Sequence, residues 1–265
     1  MKKNLLSLGA VFFCALLIFS SCQKGGGLNL FSVSQDKELG QQLKKEVMAN
    51  PAKYPILPYA GNEKAYNYLY AMRDEILKAP TIKYRNQFTW ELHIIKDDKT
   101  LNAFAAPGGF MCVYTGLIKY LDKADHLAGV LGHEIAHADQ RHSTQNLTKT
   151  YGLQTLITIA SGGKSSLVGE MLASLTQLSF SRNHEKDADD HSVEYLCGTS
   201  YAANGAAGFF EKLMKSKSGG STPAFLSTHP SDASRVKDIN AKAQALKCKT
   251  TYKANAGWET FKAYF

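Results

Sequence analysis

Five consecutive residues, His133-Glu134-Ile135-Ala136-His137, constrain this chain more than any other stretch of it. Leu127, Val130, Leu131 and Glu134 recur at helical spacing, which predicts a helix over 123–141. On a helix, side chains four apart lie on one face. Both imidazoles can therefore reach a single ion at ~2.0–2.1 Å, the distance zinc requires. Glu134, one step round the helix, can contact a water on an open coordination position. Bound zinc lowers the pKa of such a water to about 7 and polarises a carbonyl. Glu134 would then take the water's proton as general base and hand it to a leaving amine. Average residue usage produces the pattern by chance in roughly one per cent of chains this long, so its weight depends on partners elsewhere.

A catalytic zinc keeps three protein ligands and one position for water. Downstream lies Ser181-Arg182-Asn183-His184-Glu185-Lys186-Asp187-Ala188-Asp189. Together with the first motif, this segment resembles the HtpX-like and CAAX-prenyl-endopeptidase family of gluzincins, peptidase family M forty-eight. In that family S-R-x-x-E-x-x-A-D follows the first motif and its Glu is the third zinc ligand. The resemblance thus implies one zinc ion per chain on His133, His137 and Glu185, with Asp189 behind the ligands. The spacing is physically consistent, because four residues on a helix let Glu185 bind metal while Asp189 holds a ligand imidazole's N–H. His184 is a neighbouring rival but points about 100° away. His93, His126, His142 and His191 have no partner spacing and read as surface or core histidines.

The resemblance extends over most of the chain. Asn102-Ala103-Phe104-Ala105-Ala106-Pro107-Gly108-Gly109 looks like the family's segment before the active helix, and the strand over 110–114 is either an edge for an extended substrate or an ordinary internal strand. Thr228-His229-Pro230-Ser231-Asp232-Ala233-Ser234-Arg235 is similar to the family's H-P-x-x-x-x-R signature. That likeness implies that His229 either stabilises an oxyanion or occupies zinc's fourth position in a latent enzyme. It also implies that Arg235 steadies the site's carboxylates.

The N-terminus reads as an export leader. Lys2 and Lys3 precede an almost continuously apolar run over 5–19, and Phe19-Ser20-Ser21-Cys22 resembles a lipoprotein cleavage box. The run falls short of the ~20 residues a membrane span needs. The expected organisation is a signal peptide over 1–21, a lipidated flexible tether over 22–33 anchored through Cys22, and one metallopeptidase domain over 34–265. Gln23, not Asp, follows the cysteine, which by likeness to enterobacterial lipoproteins implies outer-membrane sorting with the domain in the periplasm. Of the remaining cysteines, Cys197 and Cys248 are the expected disulfide and Cys112 a small core residue. The formal charge of +8 is spread among acidic residues, as in a solvated lysine-rich exterior and not a nucleic-acid surface.

Helices are expected over 34–48 and 62–77, strands over 88–95, 103–105 and 110–114, and mostly helix after residue 115. A few strands followed by helices indicate an α+β, mostly helical, zincin-like domain with a small antiparallel sheet beside the active-site helix. Two apolar stretches over 151–178 form either core helices or a hairpin lid; the Gly-Lys-Ser run between them lacks phosphate-loop spacing. The expected activity is zinc endopeptidase action on unfolded or misassembled envelope polypeptides, with oligomeric state left open. A zinc-binding chaperone or assembly lipoprotein is the alternative, and an aminopeptidase a weaker one.

Overall fold

Side chains of a strand alternate between the two faces of a sheet, and that alternation organises the molecule. The computed structural model describes residues 29, 31–163, 165–177, 179–216, 223–230, 233–251 and 256–265. The expected leader over 1–21, Cys22, most of the tether and Lys164 lie outside the described residues. Strands β1 (Leu92–Ile95), β2 (Ala103–Ala105) and β3 (Met111–Tyr114) form one sheet in the order β1-β3-β2. Leu92, Ile94, Ala103, Ala105, Met111 and Val113 enter one apolar cluster, whereas Ile95, Phe104, Cys112 and Tyr114 enter a second on the opposite face. Cys112 is a buried free thiol there.

The sheet is mixed, not antiparallel as the sequence suggested. β2 and β3 pair antiparallel, with Phe104 opposite Cys112. β1 and β3 pair parallel, with Ile94 opposite Val113. The chain reverses between β1 and β2 and again between β2 and β3, so β3 runs with β1 and slots between its two neighbours. The strand over 110–114 is therefore central and has no free edge. β1 is flanked on its other side by Pro55–Leu57 backbone, where the Leu57 N–H donates to Ile94 O at 2.8 Å. Among the described residues no further strand pairs with the outer side of β2, which is nonetheless buried. The strand expected from residue 88 begins only at Leu92, because Trp90 takes a left-handed φ of 51°. Gly109 closes onto that bend: a Cβ on it would lie 2.9 Å from Trp90 N.

The helices are α1 (Val33–Ala49), α2 (Glu63–Ile76), α3 (Thr115–Tyr120), α4 (Ala124–Asp139), α5 (His142–Tyr151), α6 (Leu153–Ala160), α7 (Val168–Gln177), α8 (Arg182–Leu196), α9 (Gly205–Ser216), α10 (Ala224–Thr228), α11 (Ala233–Ala245) and α12 (Ala256–Lys262). A capping box starts α1: the Ser32 hydroxyl accepts the Gln35 N–H while the Gln35 side chain accepts the Ser32 N–H. Leu39, Leu43 and Val47 of α1 pack with Leu156 and Ile159 of α6 and Met171, Leu172 and Leu175 of α7 in the second cluster. Both apolar stretches over 151–178 thus supply core helices. A disulfide joins Cys197, just past α8, to Cys248, just past α11. Among the described residues no helix is long and apolar enough to cross a membrane.

Every residue of α4 is buried. This helix lies between the sheet, α8 and α9, so polar motif residues at its centre sit in the middle of the molecule. Its approach to α9 is set by two glycines. A Cβ on Gly129 would meet Ala206 N at 2.1 Å, and one on Gly205 would meet Asp125 O at 1.9 Å. Neither backbone can give way cheaply in a packed interior. Gly129→Ala is expected to cost about 3 kcal/mol, the upper part of the overpacking range. That corresponds to a fall in Tm of roughly 6–12 °C. An unchanged Tm by calorimetry would mean that α4 and α9 do not meet there.

Candidate metal centre

Buried backbone and carboxylate groups fix the helix that carries the motif. At the end of α4, the fully buried Asp139 carboxylate accepts the Tyr84 N–H at 2.8 Å and the Tyr195 hydroxyl at 2.7 Å. Arg141 then takes a left-handed φ of 61° and turns the chain into α5. Its guanidinium donates to the buried Asp36 carboxylate and to Phe31 O, and the Thr144 hydroxyl also donates to Asp36. The N-terminal helix is thereby fastened to the turn that follows the motif. α8 starts at Ser181, whose hydroxyl accepts the His184 N–H and so places Glu185 in the first turn.

The side chains of His133, His137, Glu185 and His229 converge, each buried, with one ligand atom of each lying within 4.8 Å of the others. His133 Nε2 is 3.0 Å from His137 Nε2 and 3.2 Å from His229 Nδ1. Glu185 Oε1 lies 3.4 Å from His137 Nε2 and 3.1 Å from His229 Nδ1. Its other oxygen is 3.4 Å from His133 Nε2. Four ligands placed tetrahedrally at ~2.0–2.1 Å from a zinc ion stand about 3.3 Å apart. These separations match that figure, and the donor set of three imidazoles and one carboxylate suits the metal. Glu134 lies alongside, with Oε1 3.3 Å from His229 Nε2. Two aromatic rings wall the cluster: Phe180 stacks on His137 at 4.0 Å and Phe225 on His229 at 4.3 Å.

Asp189 and Arg235 hold this cluster from behind. Asp189 Oδ1 is 2.9 Å from His133 Nδ1, so the other ring nitrogen faces the cluster. Arg235 Nε and Nη2 each donate to Asp189 at 2.7 Å, and Nη1 is 2.7 Å from Glu185 Oε2. Burial raises the Asp189 and Glu185 carboxyls, but their hydrogen-bonding and charged neighbours outweigh it. Arg235 holds Asp189 below the usual carboxylate range, and His229, His133 and His137 hold Glu185 well below it. Burial lowers both motif imidazoles. For His133 the two carboxylates outweigh it and lift the ring to about 9; His137, facing a charged His133, is pushed well below its ordinary value. Two protons cannot share the gap between those rings, and one divalent cation substitutes for both. Burial raises Glu134.

The comparisons agree with this geometry. The model for "Peptidase family M48" matches residues 64–243. The chain belongs to peptidase family M48. That family is one of zinc metalloproteases, and the four buried side chains form a cluster compatible with a metal site. The chain is 28% identical over 240 residues to the mitochondrial metalloendopeptidase OMA1 of Schizosaccharomyces pombe, covering 89% of this chain and 69% of that protein. It is 28% identical over 161 residues to a putative beta-barrel assembly-enhancing protease of Vibrio cholerae, covering 56% of this chain and 33% of that one. It is 31% identical over 146 residues to metalloprotease YcaL of Escherichia coli, covering 52% of this chain and 57% of that one. The chain thus spans as little as a third of some M48 relatives and about two thirds of the fission-yeast one.

All the site residues singled out in the sequence, from His133 to Arg235, meet at this one place. His184 does not: its ring stacks on His142 at 4.4 Å, outside the cluster. His93, His126 and His191 are also elsewhere, with His93 against Phe110 and His191 against Tyr195. His142, which the sequence placed among ordinary histidines, stands with its Nδ1 3.1 Å from His137 Nδ1. No periodicity signals it, because five residues along a single helix do not meet; the left-handed turn at Arg141 brings it back. Removing the guanidinium by Arg235→Ala leaves two buried carboxylates without their cation, which typically costs about 3–5 kcal/mol. A lowered Tm with less retained zinc, read by thermal denaturation and metal analysis, is the expected outcome.

Proposed function

We propose that this M48 chain is an endopeptidase that hydrolyses misfolded or misassembled envelope proteins, and that its conformation here is a latched one. The observation that carries the reading is His229. Its Nδ1 lies at 3.1–3.2 Å from ligand atoms of Glu185 and His133, where the fourth ligand of a tetrahedral site belongs. One zinc ion would be held by His133, His137 and Glu185, with His229 in the position that a hydrolytic water needs. Zinc bound there supplies Lewis-acid polarisation of a carbonyl and an acidified water. Glu134 accepts that water's proton and returns it to the leaving amine. Its place beside the cluster, with Oε1 3.3 Å from His229 Nε2, suits a group that must both take and give a proton there.

Access requires His229 to withdraw with the short α10. Such a withdrawal would have to break the contacts that hold the segment, among them the Phe180 N–H to Thr228 O bond at 2.9 Å and the Phe225 N–H to Leu101 O bond at 2.9 Å. A cavity of about 350 Å³ between α5 and α7 has Phe180 on its wall, one ring away from His137, and could receive a substrate side chain. Among the described residues β2 pairs with no further strand, but it is buried and its Ala105 O accepts the Ser143 hydroxyl at 3.2 Å, so an extended peptide would pair there only by displacing that contact. The name of one relative, a putative beta-barrel assembly-enhancing protease, supports envelope-protein substrates, and that of another, a mitochondrial metalloendopeptidase, supports endopeptidase action. The leader and Cys22 pattern support a lipid-anchored outer-membrane location with the domain in the periplasm.

A zinc-binding chaperone is the competing reading, favoured by the same fourth ligand, since structural zinc sites are closed by four protein ligands. Cleavage of casein by the purified mature protein separates the two. Glu134→Gln should retain zinc and lose turnover, by a factor of about 10²–10⁴ if general-base catalysis alone is removed. His229→Ala should raise basal proteolysis. Zinc retention without cleavage by the wild type, Glu134→Gln and His229→Ala proteins would establish the chaperone, and lost turnover in His229→Ala alone would make His229 a transition-state group.

A further inference from the structure

The two motif imidazoles are held in unlike ways. His133 Nδ1 faces the Asp189 carboxylate directly, and Arg235 pins that carboxylate. Among the described residues no carboxylate meets His137 at its Nδ1. It faces His142 Nδ1 at 3.1 Å, and His142 Nε2 lies 3.2 Å from Asp187 Oδ2. We propose that His142 and Asp187 are positioning residues that orient His137 toward the metal through an imidazole–carboxylate chain. This inference rests on reading the cluster as a zinc centre.

Bonding rules fix the direction of the chain. His137 turns Nε2 into the cluster, so its lone pair is there and its N–H is on Nδ1. That N–H needs an acceptor, and in a neutral imidazole only one ring nitrogen accepts. His142 therefore accepts at Nδ1 and carries its own hydrogen on Nε2, which donates to Asp187. Polarisation by the Asp187 carboxylate makes His142 a better acceptor, and this in turn strengthens His137 as a ligand. The relay is sterically held. His142 is buried, its ring is stacked on His184 at an interplanar angle of 12°, and His184 is itself 3.2 Å from Gln145 Oε1. Asp187 lies two residues from both Glu185 and Asp189, and so on a different side of α8 from the pair that serves His133. Residues of one helix thus support both ligands, one directly and one through α5.

Removing a partner of this kind typically weakens metal affinity by 10–100-fold. The test measures zinc affinity by competition with a chromophoric chelator for the wild type, His142→Phe, His142→Gln and Asp187→Asn, together with the Tm of each metal-free protein. His142→Phe and Asp187→Asn should bind zinc about 10–100-fold more weakly, with metal-free Tm close to wild type for Asp187→Asn. His142→Gln, which offers a carbonyl acceptor, should recover part of the loss. In the wild type, ¹⁵N spectra of the histidine rings should show His142 as the Nε2–H tautomer. Unchanged affinity in Asp187→Asn, equal affinity in His142→Gln and His142→Phe, or an Nδ1–H tautomer for His142 would overturn the proposal. A wild-type protein that binds no zinc would instead bring down the metal-centre reading itself.

Discussion

Putting ionisable groups into a dry interior is the constraint on which everything else here depends. His133, Glu134, His137, Glu185, Asp189, His229 and Arg235 are all buried. An isolated charge so placed would lose several kcal/mol of hydration. The arrangement is tolerable because each charge faces its complement: Arg235 spans Glu185 and Asp189, and Asp189 faces His133. What is left uncompensated is the crowding of imidazole nitrogens at the centre, and a cation resolves that. A metal bound there would tie the integrity of the site to folding.

The same burial explains why the motif helix has no polar face. α4 is enclosed by the sheet, α8 and α9, and the Gly129–Gly205 contact lets two backbones approach as side chains would forbid. Reactive groups reach the site from separate elements, yet α4 and α8 contribute most of them. Rigid helices place side chains more accurately than loops do, and His229 is the one member of the cluster borne just beyond a short helix.

Much of the site was legible because it obeys helical spacing. His133 with His137, and Glu185 with Asp189, announce a shared face from sequence alone, and the family resemblance joins the two faces with His229 and Arg235. The helices over 34–48, 62–77 and 123–141 were legible for the same reason. What escaped depended on backbone conformations that residue type does not encode. Trp90 and Arg141 are non-glycine residues with positive φ; the first shortens β1 and the second folds His142 back onto His137. Strand order likewise escaped. Apolar runs such as Met111-Cys112-Val113-Tyr114 are buried on both faces, so they carry no alternation from which an edge or a direction could be read.

The fastening of Asp36 to Arg141 redraws the boundary of the working unit. The match to the family model begins at residue 64, but α1 lies upstream of it and forms one wall of the second core. A fragment cut at the family boundary would strip Leu39, Leu43 and Val47 from Leu156, Ile159 and Met171, and would leave the turn beside His142 without its buried anion. The helix upstream of that boundary is thus structural masonry for the half that bears the histidine cluster, and a fragment meant to keep the site intact has to include α1.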